Sequence, residues 1–490
     1  MRLNLMPKLS SNNIKYRLLE SFLMSSKNDD PGLDSLLEYL QKSLKPYKGK
    51  TIEFRNLPKN GLEKDKIISI LSDFARHEDR SWKSGRVSGA VYHGESSMIS
   101  FIGKIHRLYS QSNPLHVDIW PSLTKFEAEI VSMVASLMHA GDSARGSVTS
   151  GGTESILLAM KTYRDNFRKK KGITEPNIIL PVSAHAAFSK ACEYFGIKPK
   201  YIPLNEYYQV DLQKVKESID SNTIAIVASA PCFPFGTYDD VKELSDIASD
   251  TQVGLHVDAC LGGFINAFAE KAGYAIPVSD FRNLGVTSIS IDTHKYGFAP
   301  KGTSVILYRN SELFQHQVYA TTNWQGGIYF TPTMSGSRAG FPIVAAWAVM
   351  LALGEEGYVN SVKKILDTGS FILSRVMDIE GVKVLGRPLW VIALSSDMYD
   401  PYLIMEGMAR RGWVLNGLMN PAAFHIAITM RHTLKGVKEK FLSDLRDSMN
   451  DVKNGRLKSA PLAPIYGMAS SLPRDEVDLF IKNIVEWIYT

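Results

Sequence analysis

From residue 177 to residue 308 the chain alternates short apolar runs with longer amphipathic stretches. The runs "NIILPVSA", "TIAIVASA", "VGLHVDA", "SISID" and "TSVILY" are each bounded by Gly, Pro, Asn or Asp, and they predict strands. "HAAFSKACEYFG" and "DVKELSDIAS" lie between them and predict helices. A strand that is apolar throughout must be covered on both faces. The alternation therefore predicts a mostly parallel sheet with helices on either side.

The pattern differs on both flanks. Residues 1 to about 80 read as helical and polar, with "LDSLLEYLQKSL" showing helical spacing, and "KFEAEIVSMVASLMHA" from about residue 125 is an amphipathic helix. After residue 340 a long helical region runs to about 378. "VKVLG", "WVIALSS" and "HIAITM" then interleave with helices such as "YLIMEGMARRG", a smaller α/β unit. The expected division is an N-terminal helical segment over 1–110, a large α/β domain over 111–340 and a small C-terminal domain over 341–490.

Composition narrows the class. With 490 residues, 44% hydrophobic and 22% charged, the chain is of ordinary globular make-up. Its net charge of +6 is dispersed and gives no argument for nucleic acid; the one dense run, "RKKKG" at 168–172, follows a helix whose C-terminus favours cations. Three cysteines are too few for a disulfide framework or a cysteine zinc site, so a reducing compartment is expected. "GFPIVAAWAVMLALG" at 340–354 falls short of the roughly 18 residues a membrane span needs. No apolar core of signal-peptide type stands at the N-terminus. The expectation is a soluble, cytoplasmic protein with no spanning segment.

In open α/β sheets, sites form beyond the carboxyl ends of the strands, and four stretches stand there. "VTSGGTES" is a glycine turn leading into a helix, either an anion site or a plain turn. "HVDACLGG" ends a strand in Asp258, which is either a helix cap or a buried partner for a cationic ring nitrogen or a metal. His256 shares its strand face, but no third ligand follows, so no metal is expected. "VSAHAAFSKA" offers His185, a helix cap or a ring laid over a planar ligand. "SIDTHKYGFAPKG" carries two lysines six residues apart, Lys295 and Lys301. Lys295 either reaches solvent or lies in a dry crevice, where its pKa would fall and its amine would become a nucleophile able to form a Schiff base. A phosphate cradle, a ring platform, a strand-end carboxylate and an amine together suit pyridoxal phosphate.

In their order, "SGGTES", "SAHAAF", "HVDACLGGF" and "DTHKYGFAPKG" resemble the fold type I pyridoxal-phosphate enzymes of the decarboxylase-like branch. "VSGAVYHG", "SNPLHVDIWP", "TNWQGGIYFTP" and "SGSRAG" look like the sphingosine-1-phosphate lyase family, with similarity from about residue 50 to "IYGMAS" at 465–470. The resemblance implies a large domain with a mostly parallel seven-stranded sheet and a smaller C-terminal domain. It makes Lys295 the Schiff-base lysine, Asp258 the partner of the pyridine nitrogen and His185 the stacking residue. Gly152, Thr153 and His294 become contacts of the cofactor phosphate, with Ser337 a further one. Tyr92, Asn113, His116, Lys301 and Arg338 become the substrate and active-site groups, at the interface of a homodimer. Phe233 stands where some bacterial members have tyrosine. Eukaryotic members carry a membrane-spanning segment ahead of the catalytic region, whereas this chain has a short polar leader.

The implied reaction is retro-aldol cleavage of a phosphorylated sphingoid base to a long-chain aldehyde and phosphoethanolamine. Lys301, Tyr92, His116 and the cofactor phosphate are all candidates for taking the C3 hydroxyl proton. Two other readings stay open: an amino-acid decarboxylase of the same fold, and a catalytically silent protein that binds lipid phosphate.

Overall fold

The apolar runs fall on the inner strands of one sheet. The computed structural model describes residues 40–457 and 473–489. In it, β1 (Arg145–Thr149), β2 (Asn177–Pro181), β3 (Lys198–Ile202), β4 (Thr223–Ser229), β5 (Gly254–Asp258), β6 (Ser288–Ile291) and β7 (Ser304–Tyr308) form a sheet in the order β1-β7-β6-β5-β4-β2-β3. Strands β3, β2, β4, β5 and β6 pair in parallel, and β7 runs antiparallel between β6 and β1. Every residue of β2, β4, β5, β6 and β7 is buried, including the serines that alternate with isoleucine in β6 and the His256 and Asp258 of β5. The two edge strands, "RGSVT" and "KPKYI", are more polar and escape the apolar pattern.

Helices Gly152–Lys171 and Ala187–Phe195 cover one face, burying Ile156, Met160 and Phe188 against Ile178, Ile224 and Val227. The basic run is the last turn of the first of these helices, closed by Gly172 in a left-handed conformation at φ 68°. Lys170 pairs there with Glu312 at 2.8 Å, as a solvated helix end would.

The main core also holds a helix spanning Phe341–Val376, which breaks at Gly354 (φ 58°, ψ −174°). Among the described residues this is the one helix with the length and apolar content of a membrane span. Its residues Ile343, Ala346, Val349, Val362 and Ile365 belong to the main core, and it packs on the helices Pro121–Leu137, Ser96–Tyr109, Gly263–Ala269 and Val437–Lys453. A hairpin of β8 (Tyr319–Thr321) and β9 (Tyr329–Thr331) precedes it. Beyond it, β10 (Lys383–Val384), β11 (Val391–Ser395), β12 (Asn416–Leu418) and β13 (Ala423–Ala427) form an antiparallel sheet in the order β10-β11-β13-β12. One apolar cluster joins the two sheets, with Val257 and Ile289 of the first and Ile392 and Phe424 of the second.

The N-terminal expectation needs correcting. Helix occupies 40–44 and Lys64–Lys83, but 45–63 is turn and irregular, because Pro46, Gly49, Pro58 and Gly61 punctuate it. Residues 33–39 of "LDSLLEYLQKSL" and all of "IYGMAS" lie outside the described residues.

Candidate functional site

Parallel strands β5 and β6 are neighbours, with Asp258 opposite Ser290, so their carboxyl ends deliver Asp258 and the segment Asp292–Lys295 side by side. The chain then turns and returns as antiparallel β7. That reversal brings Lys301, just before β7, back to the sheet end that Lys295 has just left. On the far side, β1 ends at the turn Ser150–Gly152, where the helix Gly152–Lys171 begins without a side-chain cap from Gly151. The Glu154 carboxylate accepts the Ser150 N–H at 2.6 Å through one oxygen and the Met334 N–H at 2.7 Å through the other, tying the turn to the loop after β9.

These ends enclose a cavity of ≈ 470 Å³. Of the residues singled out in the sequence, Tyr92, Gly152, Thr153, His185, Asp258, His294, Lys295 and Lys301 line it. Asp258 caps no helix, since the helix Gly263–Ala269 begins at Gly262 without a side-chain cap; its carboxylate accepts the Cys260 N–H at 3.0 Å in the turn before it and faces the cavity. His185 does likewise: its Nδ1 accepts the Ala187 N–H at 3.1 Å, starting the next helix, with its ring at the cavity edge. His256 is fully buried between the hydroxyls of Ser288 (2.7 Å) and Ser290 (3.2 Å), and burial pushes its pKa down to about 4. Phe233 lines the cavity with its ring 4.7 Å from that of His425.

Lys295 departs from the expectation of a lowered pKa. Burial, the largest single influence, acts to lower it, but the Asp292 carboxylate, with Oδ2 at 2.9 Å from Nζ, together with Cys260 and Tyr92 outweighs burial and raises the pKa above the ordinary lysine value. Asp292 itself is 2% exposed. Burial would raise its pKa, yet Lys295 and then His294 hold it below the usual carboxylate range. The amine that is set free is Lys301, which sits 4.5 Å from the centre of the Tyr92 ring. Although the residue is exposed along its length, desolvation of the ammonium at the cavity wall, and then the charge of Lys295, lower its pKa to about 8. Burial pushes the Tyr92 phenol up to about 12.

Asn113, His116, Ser337 and Arg338 do not line this cavity. Arg338 is bound to Glu127 (Nη2 to Oε2, 2.7 Å) and to the Val148 carbonyl (3.0 Å), and its N–H donates to Asn113 Oδ1 at 3.3 Å. His116 and Ser337 are exposed. Sequence reading had passed over Asp292 and Glu154, both inside quoted motifs; the only local signal for Asp292 was its place three residues before Lys295.

The family model for the pyridoxal-dependent decarboxylase conserved domain matches residues 53–384. The chain is 41% identical to a sphingosine-1-phosphate lyase of Drosophila melanogaster, over 93% of this chain and 83% of the relative. It is 44% identical to sphingosine-1-phosphate lyase 1 of Mus musculus, over 89% and 77%. Among solved structures it is similar to the sphingosine-1-phosphate lyase of Burkholderia pseudomallei, with 38% identity and a TM-score of 0.82 over 87% of this chain and 100% of that one. A glutamate decarboxylase of Lactobacillus brevis, at 20% identity and a TM-score of 0.72, shares the fold.

The lining fits a flat, anionic cofactor of the pyridoxal-phosphate kind. A Cβ at Gly152 would lie 2.7 Å from Cys260 Sγ and within 3.0 Å of both Asp292 oxygens, so the backbone comes close only as glycine. His294 Nδ1 is buried without a hydrogen-bond partner among the described residues. The Lys295 amine opens on the same space.

Proposed function

The chain belongs to the sphingosine-1-phosphate lyases within the pyridoxal-dependent decarboxylase family, and from that premise we propose that it cleaves phosphorylated sphingoid bases between C2 and C3, giving a long-chain aldehyde and phosphoethanolamine. The observation that carries this reading is the pair of unlike lysines in one cavity: Lys295 bound to Asp292, and Lys301 with no ion pair among the described residues.

Pyridoxal phosphate, when bound, supplies an electron sink for the pair left on C2 as the carbon–carbon bond breaks. Lys295 provides the anchoring amine. Asp258 would hold a proton on the ring nitrogen, His185 would stack on the ring, and Gly152, Thr153 and His294 would receive the cofactor phosphate, with Ser337, which lies off this cavity, reaching that of a second copy. Lys301, beside Tyr92, meets the phosphate of the substrate, since an ammonium suits a dianion. Asn113, His116 and Arg338 serve the cavity of a second copy of the chain in a homodimer, which accounts for their distance from this one. The cofactor region is assigned to 111–340, with 1–110 and 341–490 flanking it, and the protein to the cytoplasm.

Incubation with sphingosine 1-phosphate tests this directly. Both the aldehyde and phosphoethanolamine are expected. Release of carbon dioxide from an amino acid, without aldehyde from the lipid, would overturn the reading in favour of the decarboxylase.

A further inference from the structure

One buried carboxylate of the cavity has no part in these roles. Asp292 sits at the end of β6 with its side chain 2% exposed. Its Oδ2 is 2.9 Å from Lys295 Nζ and 3.6 Å from His294 Nε2, and its Oδ1 has no hydrogen-bond partner among the described residues. Gly152 faces it so closely that a Cβ would lie 2.9 and 3.0 Å from the two oxygens. A buried carboxylate is costly unless a cation compensates it. Here the compensating cation is the lysine on which the chemistry depends.

We propose that Asp292 is a positioning residue for Lys295: it docks the amine as an ammonium whenever that amine is not covalently engaged. Where the lyase reaction holds, on which this second part rests, the docked ammonium keeps a proton at Nζ for the substrate carbon that has lost its aldehyde fragment. The proton passes from Nζ to that carbon, and the amine left neutral regains its lone pair. The groups facing Lys295 are Asp292 and His294 on its own turn, Asp258 and Cys260 at the end of β5, Tyr92 and Lys301. Of these, Asp292 alone is within ion-pair distance among the described residues.

The test is competitive acetylation of the full chain freed of cofactor, read at Lys295 by mass spectrometry across pH. Access of the reagent scales the plateau, whereas the charge of the amine sets the midpoint. In the wild type the midpoint is expected above the ordinary lysine value of about 10.4; in Asp292→Asn it should fall by more than one unit, making Lys295 at least about tenfold more reactive near pH 9. Asp292→Glu should restore much of the shift. Asp292→Ser carries the same expectation as Asn, should the Asn variant not fold. A wild-type midpoint at or below the ordinary value, or one unchanged on removing the carboxylate, overturns the proposal. In turnover, kcat of Asp292→Asn should drop about tenfold or more with KM unchanged, because Asp292 touches the lysine and not the lipid phosphate; a rise in KM alone would overturn the second part. If the wild type makes no aldehyde from sphingosine 1-phosphate while the midpoint still moves, the lyase reading fails and the docking of the amine stands.

Discussion

Lys295 and Lys301 stand six residues apart at one end of one sheet, face the same cavity, and are pushed in opposite directions. Desolvation lowers the pKa of both. What separates them is the Asp292 carboxylate, bonded to one and merely near the other. The strand end thus holds its free amine as a cation, while the turn before β7 holds one that loses its charge as pH rises through about 8. Burial alone would have made both amines nucleophilic; the neighbouring carboxylate decides which proton stays.

The largest effect should come from the strand end. Lys295→Ala is expected to reduce turnover by at least about a thousandfold and to abolish the visible absorbance of bound cofactor, since no other amine in the cavity occupies that place. Product assay and spectrum of the same sample check it. Retained colour with retained activity would break the comparison at its root.

At the turn the loss should be smaller and of another kind. Lys301→Ala is expected to raise KM about tenfold to a hundredfold, the worth of charged hydrogen bonds to a phosphate, while sparing cofactor absorbance. The pH dependence has a definite sign. Lys301 is protonated below its pKa of about 8 and loses its charge above it. The substrate phosphate becomes a dianion above about pH 6. In the wild type kcat/KM should therefore fall as pH rises through about 8, whereas Lys301→Arg, charged throughout, should flatten that limb.

A third substitution probes the wall behind both lysines. Gly152→Ala puts a methyl group 2.7 Å from Cys260 Sγ and against Asp292, and a shift there moves Lys295 as well. A destabilisation of about 1–3 kcal/mol is expected from the overpacking, with weakened cofactor retention. Thermal unfolding with and without cofactor separates the two, and a variant that unfolds and binds like the wild type would show that the wall yields freely.

The same contrast explains what could be read from the chain. The five inner strands were legible because each is buried on both faces, while β1 and β3, the two edges, were not, since an edge spends its residues on solvent and lysine. The glycine turn, Asp258, His185 and both lysines were legible because strand ends announce themselves as apolar runs stopping at polar residues. Asp292 was not, because a carboxylate after a strand reads equally well as a cap, and its hold on Lys295 exists only once the turn has closed. The link from Arg338 to Asn113 and Glu127 spans more than 200 residues of sequence, and no local pattern encodes it.

The smallest effect belongs to the basic residues that the sequence displays most openly. Arg168, Lys169, Lys170 and Lys171 form the last turn of a long helix, where the terminal carbonyls favour cations by about 0.3–1 kcal/mol shared among several exposed side chains. The pair of Lys170 with Glu312 has both side chains about half exposed, 45% and 57%, so it adds little in water. Lys169→Ala should change stability by no more than about 0.5 kcal/mol and leave kcat/KM as it was. Parallel denaturation curves and kinetics would check both. A large loss of activity would mean that this basic end touches the substrate or its membrane, and that charge far from the cavity matters as much as charge within it. The expected silence of four clustered cations, beside the loud response of two separated ones, follows from solvent: water already satisfies the former, and only Asp292 or a bound phosphate can satisfy the latter.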